Sequence, residues 1–189
     1  YDNLCAATLC GASTAPCVYG PTYIFNNLVT HGGEETGYNL YSIKNIFGKP
    51  GQGTVYAFGN TLRYAIGIGR FRTGPGGNSR VVAQNNVIDA VKSIYQDGLM
   101  ETDSALGRNL AWSRLEETVE DARAFVRAHP EAAGSVFETP HYVNASFGDF
   151  RLQADRGAEV SPIPGFPGTE RMGVDSAMMP KRPGALVLD

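Results

Sequence analysis

The sequence has no cysteine after position 17, a single tryptophan and no long apolar run. No stretch approaches the roughly 18 apolar residues that a membrane-spanning helix needs, so no membrane partner is expected. No cluster of lysine or arginine stands out, and the formal net charge of the 189 residues is -3. A nucleic-acid-binding domain usually carries a basic patch, and none is expected to bind here. Charged residues make up only 19% of the chain against 42% hydrophobic, an ordinary globular balance. The length fits one domain, or one domain with an appendage.

The three cysteines are crowded together as Cys5, Cys10 and Cys17. Such clustering favours a small disulfide-stapled loop over residues 1–20 and a secreted protein in an oxidising compartment. One pair can form and one thiol is left over; three reduced thiols are the alternative. A zinc site is not expected, because no histidine lies near and the spacing matches no common zinc pattern. The chain opens on Tyr1 rather than methionine, which suggests a processed or cut start. Asn144-Ala145-Ser146 is a glycosylation sequon, relevant only in a eukaryotic secretory setting.

No internal repeat and no heptad pattern is read along the chain. Residues 22–29 are rich in β-branched and aromatic side chains and predict a strand. Apolar positions in 35–47 predict a helix, broken by the glycine- and proline-rich 48–53. Residues 54–58 predict a short strand, and Asn60 an N-cap for a helix through Tyr64 and Ala65. Helices are predicted again over 87–95 and 104–128. The second carries a stripe of Leu106, Leu110, Trp112, Leu115, Val119, Ala122, Phe125 and Val126. Its Glu116, Glu117, Glu120 and Asp121 read as a solvated face. His129 reads as a cation at the helix C-terminus. Short strands are predicted over 136–137, 142–147, 150–154 and 159–163, and an extended tail over 181–189. Strands at both ends with helices between suggest an α+β fold.

The stretch 30–71 carries the chemistry. It orders His31-Gly32, then Ser42-Ile43, then a Gly-x-Gly-x-x-Tyr run ending at Tyr56, then Tyr64-Ala65. Late in the chain comes Gly157-Ala158-Glu159-Val160. Together these resemble the ADP-ribosyltransferase superfamily, in its His–Tyr–Glu branch of diphtheria-toxin-like enzymes and poly(ADP-ribose) polymerases. The resemblance covers about 40 residues near one end and about 20 near the other. It implies a split β-sandwich spanning 21–180 with a helical insertion at about 84–130. It also implies a toxin or effector domain that moves ADP-ribose from NAD to a macromolecular acceptor, expected to be a protein.

By that resemblance His31 and Gly32 would orient NAD with Ser42 beside them. Tyr56 and Tyr64 would clamp the nicotinamide ring, and Glu159 would be the catalytic carboxylate, with Glu138 the second choice. The chemistry is consistent. Breaking the nicotinamide–ribose bond builds positive charge on the ribose, which a held carboxylate stabilises more than it does the ground state. Aromatic faces suit a flat cationic ring, and no metal is required. Tyr56 and Tyr64 are eight residues apart, closer than the family places its pair, so Tyr41 and Phe58 stand as substitutes. Residue 157 is glycine rather than Glu or Gln, which speaks against arginine as the acceptor. Two other readings stay open: an NAD glycohydrolase with water as acceptor, and a non-catalytic secreted structural or interaction module.

Overall fold

Five short segments share a local plan. Residues 25–29, 58–62, 84–88 and 107–111 read FNNLV, FGNTL, QNNVI and GRNLA, and 133–137 read AGSVF. In the last four the second residue has positive φ: Gly59 (62°), Asn85 (59°), Arg108 (57°) and Gly134 (80°). A left-handed residue turns the chain sharply and favours Gly or Asn. The next residue is Asn60, Asn86, Asn109 or Ser135, and a strand follows. The five segments are a repeat, contrary to the expectation of none. Hydrogen-bonded rungs at intervals of 33, 26, 23 and 26 residues have no constant period, and this hides the pattern from a sequence scan.

A computed structural model describes the backbone of residues 4–5, 12–14, 22–25, 27–29, 38–39, 41–43, 52–67, 70–71, 78–90, 94–95, 105–153 and 172–173. The strands in order are β1 (Leu4–Cys5), β2 (Ala12–Thr14), β3 (Thr22–Phe25), β4 (Leu28–Val29), β5 (Tyr38–Asn39), β6 (Tyr41–Ile43), β7 (Gln52–Phe58) and β8 (Thr61–Gly67). There follow β9 (Arg70–Phe71), β10 (Asn78–Gln84), β11 (Val87–Ala90), β12 (Leu110–Ser113), helix α1 (Glu116–Ala128), β13 (Val136–Phe137), β14 (Tyr142–Asn144) and β15 (Asp149–Leu152).

Every described pairing among β1 to β13 is parallel. Sheet A runs β1-β4-β8-β11-β12-β13 with β5 beside β8, sheet B runs β2-β6-β9, and sheet C runs β10-β7-β3. From β2 to β11 the described strands visit B, C and A in turn, with β5 a second strand on A; β12 and β13 then add to A alone. This is the winding of a parallel β-solenoid, in which each coil rests on its neighbours alone.

The inner rows are apolar. Leu62, Ile88 and Ala111 stack in register with Phe137 on sheet A, and Ile24, Ala57 and Ala83 on sheet C. Helix α1 follows β12 and packs Ala122, Phe125 and Val126 into the same core, between β12 and the returning β13. It starts with Glu116 and Glu117 and ends with Arg127, charges that suit its dipole.

The outer row of sheet A is also apolar: Leu28, Val87, Leu110 and Val136, with Thr61 among them in register. The antiparallel hairpin β14–β15 covers it like a strap. Phe150 packs on Leu28, while Tyr142, Leu152 and Met172 cluster with Val87, Leu110 and Val136. Gly173 seals the edge by donating its N–H to the Asn85 carbonyl at 2.9 Å. A Cβ there would lie 2.7 Å from Thr61 Oγ1 and 2.8 Å from Val87 Cγ2, so the approach needs glycine.

Several predicted elements differ. Residues 38–39 and 41–43 form β5 and β6, 61–67 form β8, and 87–90 form β11, where helices were expected. The reason is tertiary. Each is a short apolar run that helix and strand periods fit equally well, and neighbouring coils supply ladder bonds to the strand form. Asn60 caps no helix. The long helix begins at Glu116 rather than near 104, and Leu106 and Leu110 belong to the coils. Within the span of the expected helical insertion, 84–130, the described elements include β11, β12 and α1. The described strands stack coil on coil. Strands at 54–58 and 136–137 agree with expectation, while 159–163 and the tail lie outside the described residues.

Candidate functional site

Asparagine makes the most connected polar feature. Asn27 Nδ2 donates to Asn60 Oδ1 at 2.8 Å, Asn60 Nδ2 to Asn86 Oδ1 at 2.9 Å, and Asn86 Nδ2 to Asn109 Oδ1 at 3.0 Å. Each accepting oxygen also takes the backbone N–H of the preceding rung, at 3.0, 3.1 and 3.0 Å. The second amide hydrogens go to main-chain carbonyls of Phe25, Phe58, Gln84 and Gly107 or of the preceding coil. Ser135 Oγ ends the row, taking the Asn109 N–H at 3.3 Å and lying 2.9 Å from the Tyr95 hydroxyl. Burial pushes the Tyr95 hydroxyl up to about 12 against the opposing Ser135 hydrogen bond. Asn60, Asn86 and Asn109 are 0% exposed. Buried amides are tolerable because both ends of each are satisfied. The ladder fixes coil against coil.

Three of the residues expected to hold NAD lie on described strands. Tyr56 lies on β7 of sheet C, Tyr64 on β8 of sheet A and Ser42 on β6 of sheet B. The Tyr56 ring stacks on Tyr23 of the next coil at 5.3 Å and 18°, and Phe58 stacks on Phe25 at 5.1 Å and 6°. Rings stacked along the coil axis turn their faces to each other. Tyr41, the other substitute, is on β6. His31, Gly32 and Glu159 lie outside the described residues, as do Cys10 and Cys17. Cys5 sits on β1, paired at the backbone with Val29. Glu138 is half-buried just beyond β13, remote in sequence from any partner proposed for it. Among the other charges, Glu120 pairs with Arg123 and Asp149 with Arg151, all at the surface. The His129 ring stacks on Phe125 at 4.2 Å and its Nδ1 lies 3.0 Å from Glu131.

A cluster that the sequence reading missed lies on the outer face of sheet A at the rim of the strap. Arg63, Asp89 and Trp112 occupy one register row on three consecutive coils. Arg63 Nε is 3.6 Å from Asp89 Oδ2, and its guanidinium sits 5.1 Å from the centre of the Phe150 ring. Tyr142 meets Phe150 edge-on at 5.3 Å. Asp89 is only 8% exposed. Burial raises its carboxyl above the usual range, and the opposing charges of Arg63 and Arg114 offset part of that. Burial also holds the Tyr142 hydroxyl well above its usual value; the Asp89 charge adds to this and Arg63 subtracts. A signal was available: Arg63 and Asp89 each fall three residues after a ladder asparagine.

Among the described residues, no group of three or more His, Cys, Asp or Glu could hold a metal ion. No described helix is long and apolar enough to cross a membrane. Comparison with protein-family models, curated proteins and solved structures finds no match for this chain.

Proposed function

We propose that the chain is a β-solenoid scaffold, a structural or interaction module that works by holding side chains in fixed rows for a partner. One observation carries this reading: the buried ladder Asn27–Asn60–Asn86–Asn109–Ser135. Four successive steps of the stack are joined by hydrogen bonds to or between these side chains. What such a device produces is a set of flat faces with equivalent positions on successive coils, at about 4.8 Å intervals. Extended faces of this kind are how solenoids bind. The Arg63–Asp89–Trp112 row is one such set of positions, and Tyr23–Tyr56 is another.

The competing reading is NAD cleavage by His31, Gly32, Tyr56, Tyr64 and Glu159. Tyr56 and Tyr64 stand on different sheets, which favours the scaffold over a nicotinamide clamp. The test is direct. The purified folded chain is incubated with NAD, and nicotinamide release is followed by chromatography. The scaffold reading expects release at the rate of the protein-free control, and a silent calorimetric titration with NAD. Release above that rate, abolished by Glu159→Ala, would overturn it.

A further inference from the structure

Asparagine has two opposite uses in this chain. Asn27, Asn60, Asn86 and Asn109 are spent on the ladder, where each side-chain amide is hydrogen-bonded. Asn144 ends β14 at the turn of the strap. It is exposed, and it precedes a single 3-10 turn, Ala145–Phe147, without making a side-chain capping bond to it. Strict strand alternation would send Asn144 to the same side as Tyr142, which packs inward on Phe150. The strap's register shifts between Tyr142 and Asn144, so Asn144 does not follow it inward. Ser146, two residues on, is exposed as well. Asn144-Ala145-Ser146 is the only Asn-x-Ser/Thr triplet in the 189 residues, and none of the ladder asparagines belongs to one. A bulky, solubilising sugar can be carried only where the folded chain leaves room for it at the surface, and the triplet falls at such a place. Two large apolar side chains flank it and face water, Val143 at 43% and Phe147 at 65% exposure.

We propose that Asn144 is the attachment site of an N-linked glycan. Its side-chain nitrogen attacks the anomeric carbon of an oligosaccharide carried on a lipid pyrophosphate. The nitrogen–carbon bond forms as the bond from that carbon to the pyrophosphate oxygen breaks. The lipid pyrophosphate leaves with the electron pair, and the nitrogen gives up one proton to a base of the membrane-bound transferase. Nothing is oxidised or reduced. Ser146 supplies the hydroxyl that defines the acceptor triplet, and the middle residue is alanine rather than the forbidden proline. Attachment needs passage through an oxidising secretory compartment, the setting that the crowded Cys5, Cys10 and Cys17 also favour. The sugar gives a hydrated cover to the outer side of the strap, where Val143 and Phe147 otherwise meet water, and it leaves the solenoid's other faces to partners. The inference concerns the strap alone and stands whether or not the scaffold reading holds.

The whole chain, sent through the secretory pathway of cultured animal cells behind a cleavable signal peptide, tests this. Intact mass and peptide maps are read on secreted and cell-retained protein alike, before and after treatment with peptide N-glycanase. The expected result is a heavier species that the enzyme collapses to the bare chain, with aspartate left at position 144. Asn144→Gln and Ser146→Ala should each abolish the heavier species completely, and Ser146→Thr should keep it. The far-ultraviolet circular dichroism of the glycosylated chain should superimpose on that of Asn144→Gln, because the sugar projects from an exposed turn. The idea is overturned if neither fraction of the wild-type chain carries the sugar, if the enzyme-released sugar maps to another residue, or if its attachment alters the spectrum. Should Asn144→Gln not fold, Ser146→Ala decides the matter, since it removes the acceptor triplet without touching Asn144.

Discussion

Replacing Asn86 with alanine removes the best-connected rung of the ladder. Its Nδ2 donates to Ala57 O, Gln84 O and Asn109 Oδ1, and its Oδ1 accepts from both the backbone and the side chain of Asn60. In the variant the buried Asn60 N–H loses its acceptor, and the Ala57 carbonyl loses the amide donor. Each buried group left unsatisfied costs about 1–3 kcal/mol. With a small cavity added, the sum is roughly 3–5 kcal/mol, a large share of the ~5–15 kcal/mol typical of a domain. Asn27→Ala provides the scale. Asn27 is only half-buried, at the start of the row, and Asn60 Oδ1 keeps the Asn27 backbone N–H as a donor. Its loss should cost about 1 kcal/mol. Urea denaturation followed by circular dichroism would read both, with the midpoint falling at unchanged slope. If Asn86→Ala and Asn27→Ala agreed within about 0.5 kcal/mol, the ladder would not be what holds the coils.

Other outcomes follow from the same geometry. Gly107→Ala should destabilise far more than Gly59→Ala. The new Cβ at 107 would meet the Ala133 carbonyl oxygen at 1.8 Å, whereas at 59 the nearest atom is 3.3 Å away and the strain lies in φ of +62°; thermal melts of the two variants would show the order. Asp89→Asn should raise the melting temperature at neutral pH and bring no gain in acid, because the carboxyl is already neutral there; equal gains at both pH values would refute the buried-charge account. Tyr95, held up to about 12 by burial, should stay un-ionised in an ultraviolet titration through about pH 10.5 while the chain is folded. Its stabilising contribution is present below its unfolded value and is lost as pH rises through about 12. Thiol titration of the unfolded, unreduced chain should find about one free thiol, as one disulfide among Cys5, Cys10 and Cys17 requires; about three would remove the argument for an oxidising compartment.

The sequence by itself determined the apolar runs, the turns that punctuate them and the amphipathic α1, whose Ala122, Phe125 and Val126 follow a helical period that needs no outside help. It could not decide whether residues 61–67 or 87–90 were helix or strand. Both runs are short, and their hydrogen bonds go to coils 23 to 33 residues away. The irregular spacing of the ladder asparagines kept them looking like unrelated turn residues, and Asn60 like a helix cap. Only the stacked structure turns them into one buried row. The Arg63–Asp89–Tyr142 cluster was illegible for the same reason, since its members meet through coil register and a strap that folds back from 142–152. Local pattern fixes what each segment can be; contacts between coils choose among those possibilities, because that is where the missing hydrogen-bond partners lie.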